Sequence, residues 1–347
     1  MKKALTILAL ILFLFVGYTF FSTGFFREID ISSPNKIIAR IALKGAEDIV
    51  VDQEGGFAII SATNRLVYPP TKPESGNLYF IDLNDEKFQP VNLTSKMELA
   101  FAPHGIDMMK ISDTTYQILA INHINKQHSI EKFLLKGQEL VHLKTFKNES
   151  MIQPNDLEII SQDEFYFTND HAFTEGLGKI IEEYGGLSLS NVIRFNKDNY
   201  TEVATDIAYA NGIVYDQKRK LLYVASPRYF KVKVFYRKSN GMLDFIEDIP
   251  AKTGVDNLTL DDFGNIWIGA HPNLLRFAAY AKGDYEISPS EIIKIKYESK
   301  NQFMVESLWV DNGEKMSGST VAVPYNNWLL VGNVMDDYFL IIENDDL

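Results

Sequence analysis

The sequence predicts an all-β fold, a six-bladed β-propeller preceded by a hydrophobic N-terminal helix. Three observations carry this. A unit made of a polar pair, a short apolar strand, a turn and a second β-rich strand recurs six times, starting at Glu47, His104, Asn155, Asn211, Asp256 and Ser319. The starts lie 45 to 63 residues apart, and a hairpin-bearing period near 50 is the size of a propeller blade. Aromatic residues make up 12% of the chain, with 23 Phe and 17 Tyr, which favours strands. A β-sandwich gives no reason for polar pairs to recur at blade spacing.

The first element is the N-terminal helix. Residues Ala4 to Phe26 carry no charge, with Lys2 and Lys3 before them and Arg27 and Glu28 after. As a helix this stretch is about 34 Å long, enough to span a bilayer. The leading lysines favour a cytoplasmic N-terminus. Residues 1–28 are therefore expected to be an uncleaved membrane anchor, with the propeller, residues 29–347, on the extracytoplasmic side. The alternative is a cleaved signal peptide and a secreted or periplasmic protein. That alternative wants small residues at the cleavage site, where this chain has Phe20, Phe21, Phe25 and Phe26.

The blades follow. The first copy reads EDIVVDQEGGFAIISATN from Glu47. Turn residues sit midway in most copies: Glu54-Gly55-Gly56, Ser112-Asp113, Asp216-Gln217, Asp261-Asp262-Phe263-Gly264 and Asn326-Asn327. In an antiparallel hairpin the entry of the first strand and the exit of the second share one edge, and the first strand of a propeller blade lines the channel. Glu47, Asp48, His104, Asn155, Asp156, Asn211, Asp256 and Asn257 are thus expected to converge at one channel mouth. Asn64, His123, Asp170, His171 and His271 are expected to ring it. One stretch departs from the β pattern. Leu177, Ile180, Ile181 and Tyr184 fall at helical spacing, with Lys179, Glu182 and Glu183 opposite. This is a helix on the propeller top, packed there or serving as a lid or membrane contact.

Composition excludes several functions. Lys+Arg is 34 against 46 Asp+Glu, a net charge of −12, which argues against nucleic-acid binding. The absence of cysteine rules out disulfides, a thiol nucleophile and Cys-ligated metals. There is no GxSxG elbow, P-loop or dinucleotide-type glycine fingerprint.

The converging set offers carboxylate and amide oxygens, which suit calcium; zinc wants nitrogen or sulfur. Glu47, Asp48, Asp156 and Asp256 carry four negative charges, which two Ca²⁺ would cancel. Any one Asp or Asn beside a strand is an ordinary turn former; their recurrence at equivalent points of several units singles them out. Four of the six histidines, His104, His123, His171 and His271, fall at strand entries or exits, while His128 and His142 do not. His104 and His123 open and close one hairpin, so they can pair as a base and its orienting partner.

These residues stand in recognisable motifs: Gly45-Ala46-Glu47-Asp48, Phe101-Ala102-Pro103-His104-Gly105-Ile106, Ile121-Asn122-His123, Asn155-Asp156, Thr168-Asn169-Asp170-His171, Ala210-Asn211-Gly212-Ile213, Asp256-Asn257, Trp267-Ile268-Gly269-Ala270-His271-Pro272-Asn273 and Gly318-Ser319-Thr320-Val321-Ala322. In this order, from about residue 44 to about 340, the chain resembles the paraoxonase/arylesterase family. The resemblance implies a six-bladed propeller with two calcium ions. It implies Glu47, Asn155, Asn211, Asp256 and Asn257 as ligands of an upper, catalytic ion. Asp48, Asp156 and the carbonyl of Ile106 would hold a deeper, structural one. It implies His104 and His123 as the catalytic histidine pair, His171 and His271 as pocket residues, and an N-terminal helix that is retained. Family members hydrolyse lactones and aryl esters, and some also hydrolyse organophosphates. Animal members tie their ends with a disulfide, so here closure is expected from pairing of Ile37–Leu43 with Tyr338–Ile342.

The expected function is therefore calcium-dependent hydrolysis of a small-molecule lactone or aryl ester. Ca²⁺ would polarise the carbonyl, and a water deprotonated by His104 would attack, with a carboxylate near the calcium as the alternative base. The competing readings are a non-catalytic, membrane-tethered, calcium-stabilised binding module and a strictosidine synthase-like propeller.

Overall fold

Each of the six repeats folds into a hairpin because turn residues separate two apolar runs. Gly56, Gly264 and Asn326 all adopt left-handed backbone angles at these turns, the conformation that Gly and Asn accept most readily. The computed structural model describes residues 1–65, 75–124 and 127–344. It contains six four-stranded antiparallel sheets.

The innermost hairpins of the six sheets are the six predicted copies. They are Ala46–Asp52 with Phe57–Thr63, Pro103–Ser112 with Thr115–Ile124, and Pro154–Ser161 with Glu164–Asn169. They continue with Ile213–Asp216 and Leu221–Ser226, Gly254–Leu260 and Ile266–His271, and Ser319–Tyr325 and Trp328–Asn333. Each first strand contacts the first strands of both neighbouring blades, so the ring is closed. Apolar residues fill the gaps between blades as six clusters, one per interface.

The last blade closes without a covalent tie. Ile37–Ile41 pairs antiparallel with Phe339–Glu343, as the sequence predicted. Phe339, Leu340, Ile341 and Ile342 are almost wholly buried. The inner strands of neighbouring blades are joined by side chains. Asp48 Oδ2 accepts from the Ile106 amide at 2.7 Å, Asp107 Oδ2 from Ile159 at 2.6 Å and Asp156 Oδ2 from Ile213 at 2.9 Å. Thr259 donates to the Ala322 carbonyl at 2.7 Å, and Thr320 to the Glu47 carbonyl at 2.5 Å.

Among the described residues three α-helices, one at the N-terminus and two after blade hairpins, accompany the propeller. Helix α1, Lys2–Ser22, is long and apolar enough to cross a membrane, and most of its length is exposed. Helix α2, Gly176–Gly185, follows the second strand of the third blade; α3, Leu274–Ala281, follows that of the fifth. Helix α2 lies where the spacing predicted it, with its apolar stripe turned outward rather than packed on the propeller. Glu182 is buried and accepts the amides of Ala172 and Phe173 at 2.8 and 2.9 Å, while Leu177, Ile180 and Ile181 face outward. The carboxylate closes the preceding loop, and this fixes the rotation of the helix.

Ile341 tests the non-covalent closure. Ile341→Ala is expected to cost about 2–5 kcal/mol, read as a lower midpoint in urea unfolding.

Candidate metal centre and pocket

The polar pairs reach the channel because their strands are irregular there. The ladder shifts register between Ala46 and Asp48, Pro103 and Ile106, Pro154 and Leu157, Val255 and Leu258, and Ser319 and Ala322. A bulge takes residues out of the ladder and re-aims their side chains. Glu47, His104, Asn155, Asp156, Asp256 and Asn257 all lie inside these shifts. Gly105 permits the crowding: a Cβ there would lie 2.6 Å from both the Asn155 carbonyl and Asp156 Oδ1.

Five of the expected ligands, Glu47, Asn155, Asn211, Asp256 and Asn257, are buried. Four of their oxygens, Glu47 Oε2, Asn155 Oδ1, Asn211 Oδ1 and Asn257 Oδ1, have no hydrogen-bond partner. Neighbours orient two of these amides. Asn257 Nδ2 donates to Glu47 Oε1 at 2.9 Å, and Asn155 Nδ2 to Asp170 Oδ2 at 3.4 Å. A buried acceptor without a donor costs about 1–3 kcal/mol, so four in one set call for a cation. The donors are hard oxygens, two carboxylates and three amides, and they fit calcium. Among the described residues no three His, Asp or Glu side chains form a metal cluster, as expected of an amide-rich set.

The deeper pair, Asp48 and Asp156, is also buried. Each carboxylate accepts two backbone amides: Ile49 and Ile106 for Asp48, Leu157 and Ile213 for Asp156. Burial, then the neighbouring Glu47, raises Asp48 well above the carboxylate range; burial, then Asp48, does the same to Asp156. Two desolvated carboxylates in repulsion are the electrostatic setting that a cation relieves. The bond from its amide to Asp48 fixes the Ile106 backbone beside this pair.

The histidines differ in part from expectation. The rings of His104 and His123 touch edge to face, 5.2 Å between centroids, but each has its hydrogen-bond partner elsewhere. Arg65 Nη2 donates to His104 Nδ1 at 2.9 Å, and Glu47 Oε2 lies 3.8 Å from the same nitrogen. His123 Nδ1 meets His128 Nδ1 at 2.6 Å. Burial, then Arg65, pushes His104 down to about 3, and burial, then His104 and His128, pushes His123 well below the usual range. His271 Nε2 donates to Asp256 Oδ2 at 2.8 Å, and its Nδ1 has no partner. His171 is bonded to Asp170 at 2.7 Å and packs its ring against Tyr209.

Above the oxygen floor lies a cavity of about 310 Å³. Glu47, His104, Asn155, Asn211, Asp256 and His271 line its base; Tyr209, Arg228, Thr23 and residues of α2 and α3 form its walls. His271 lines this cavity, while His171, packed against the wall residue Tyr209, His123 and Asn64 are not among the lining residues.

Sequence reasoning passed over Arg65, His128, Tyr209 and Arg228. His128 pairs with His123 directly across two adjacent strands, a relation that their five-residue spacing in the sequence would have suggested. Arg228 follows the exit of the strand Leu221–Ser226, the same rule that found His171 and His271. Arg65 stands at the same offset, two residues past the strand Phe57–Thr63 and next to Asn64.

The family model for arylesterases matches residues 35–340. The chain belongs to the arylesterase family. As a member it is a carboxylic ester hydrolase, and the non-catalytic and strictosidine synthase-like readings fall away. It is 32% identical over 321 residues to serum paraoxonase/arylesterase 2 of Gallus gallus, covering 89% of each chain. Serum paraoxonase/arylesterase 1 of Homo sapiens gives the same identity and coverage. Regucalcin, a calcium-binding protein of Agrobacterium tumefaciens, shares the fold with a TM-score of 0.51 at 13% identity, over 90% of this chain and 95% of that one.

The raised carboxylates give a pH signature in calcium-depleted protein. Between the unfolded and folded values of Asp48 and Asp156 the native state holds more protons than the unfolded one. Their contribution is therefore full below the unfolded value, about pH 4, and is lost as pH rises through the folded values. The chelated protein is expected to melt lower at pH 8 than at pH 5.5, and calcium to raise its Tm more at pH 8. Differential scanning calorimetry at the two pH values reads both effects.

Proposed function

We propose that this hydrolase opens lactones and aryl esters over a floor that holds two calcium ions, the upper one bound by Glu47, Asn155, Asn211, Asp256 and Asn257. The deeper ion would be held by Asp48, Asp156 and the Ile106 carbonyl. The observation that carries the reading is the set of four buried oxygens with no donor. A bound calcium supplies a Lewis acid for the acyl oxygen and its developing negative charge.

The rest of the chemistry belongs to side chains. Arginine only donates, so Arg65 occupies the Nδ1 lone pair of His104 and places the proton of the neutral ring on Nε2. His104 then acts as a hydrogen-bond donor in the pocket. The histidine suited to take a proton from water is His271. Its Nε2–H is fixed by Asp256, which leaves a lone pair on Nδ1. Phe277 stacks on this ring at 3.7 Å between centroids and holds it in place. His123, locked by His128, supports the His104 ring by contact. The apolar walls would receive the acyl or aryl portion.

The membrane part of the reading rests on α1 and α2. The exposed length of α1 and the outward Leu177, Ile180 and Ile181 belong to helices whose C-terminal ends, at Thr23 and at Glu183 and Tyr184, line the pocket. We place the mouth against a bilayer, with α1 as a retained signal anchor and the propeller extracytoplasmic.

Turnover of phenyl acetate and of δ-valerolactone, with and without a chelator, tests the proposal. Both activities are expected to vanish on chelation and return with calcium. His271→Ala is expected to lower kcat about 10²–10⁴-fold, with His104→Ala costing less. Full turnover in a chelator would overturn the metal floor; an unimpaired His271→Ala would remove that base.

A further inference from the structure

Arg228 is a buried arginine whose hydrogen bonds go to main-chain carbonyls. It follows Pro227 in a short turn, Pro227–Tyr229, and is 5% exposed. A guanidinium out of water usually meets a carboxylate. Here Nε donates to the Glu183 carbonyl at 2.9 Å, Nη2 to Tyr184 at 2.7 Å and Nη1 to Ser22 at 3.2 Å. Glu183 and Tyr184 lie in the last turn of α2, and Ser22 ends α1. One planar cation thus caps the negative ends of two helix dipoles at once.

The end of α1 is fitted closely beside it. Thr19 Oγ1 donates to the Tyr184 carbonyl at 3.0 Å, and the Leu274 amide at the start of α3 donates to the Thr23 carbonyl at 3.0 Å. Gly24 follows with φ +73°, where a Cβ would lie 2.4 Å from the Pro272 carbonyl. Thr23 and Arg228 both line the cavity. The C-cap of the apolar helix, Thr23, is therefore part of the pocket wall.

We propose that Arg228 is a positioning residue that latches α1 to α2, and that the latched helix end sets which substrates the pocket accepts. The proposal rests on the ester-hydrolase reading for its substrates and on geometry alone for the latch. With the latch intact the wall formed by α1 and α2 grips a long apolar substituent. Without it the wall moves, while the oxygen floor and His271, carried by the inner blades, stay in place.

The test uses Arg228→Met in the full chain, in detergent micelles. KM for δ-dodecalactone is expected to rise about tenfold, several-fold more than KM for the shorter phenyl acetate. Hydrogen exchange at the Leu274 amide is expected to accelerate, with the inner blade strands unchanged. Parental exchange at Leu274, or an equal loss on both substrates, would overturn the latch. If neither substrate turns over in the parent, exchange still reads the latch and only the hydrolase reading fails. Should Arg228→Met fail to fold, Thr19→Val carries the test: faster Leu274 exchange supports the latch and parental exchange overturns it.

Discussion

Six strands meet around an axis and present oxygens that the protein itself does not satisfy. Glu47, Asn155, Asn211 and Asn257 each leave one buried acceptor without a donor, while Asp48 and Asp156 repel each other below them. Such an arrangement opposes folding unless a cation is part of the native state. Much else serves this set. The bulges turn the polar pairs inward, Gly105 lets two blades approach, and His271 and Asp170 each hold a member of the set in orientation.

The same residues join stability to chemistry. Asp48 and Asp156 bridge neighbouring blades through backbone amides while offering their remaining lone pairs to the axis. With no cysteine in the chain, the ring is held by strand pairing at the last blade and by these bridges near the centre. An ion on the axis would lock several blades together, so it would stabilise the fold as well as assist hydrolysis.

The propeller was legible because its signal is a period. Polar pairs at blade spacing and turn residues between apolar runs located all six inner hairpins, and the closing strand followed from the lack of a disulfide. The channel residues were legible for the same reason, since hairpin geometry sends each pair to one edge. Side-chain partnerships were less accessible. Arg65 takes the nitrogen of His104 that a paired histidine was expected to use; it comes from the exit of another blade, beside Asn64, where position alone does not name the partner. The spacing left α2 either packed or outward-facing, and the loop closed by Glu182 decides between them, leaving Leu177 and Ile180 outside. That orientation makes sense beside α1, whose length is exposed and apolar too.

Calcium content addresses the axial oxygens most directly. Purified protein, stripped with a chelating resin and dialysed against a calcium buffer at micromolar to millimolar free ion, should retain two ions per chain. An Asn155→Leu, Asn211→Leu double variant, which keeps the deeper pair, should retain one. A parent chain that binds no calcium across this range would contradict the reading of these oxygens as a metal floor.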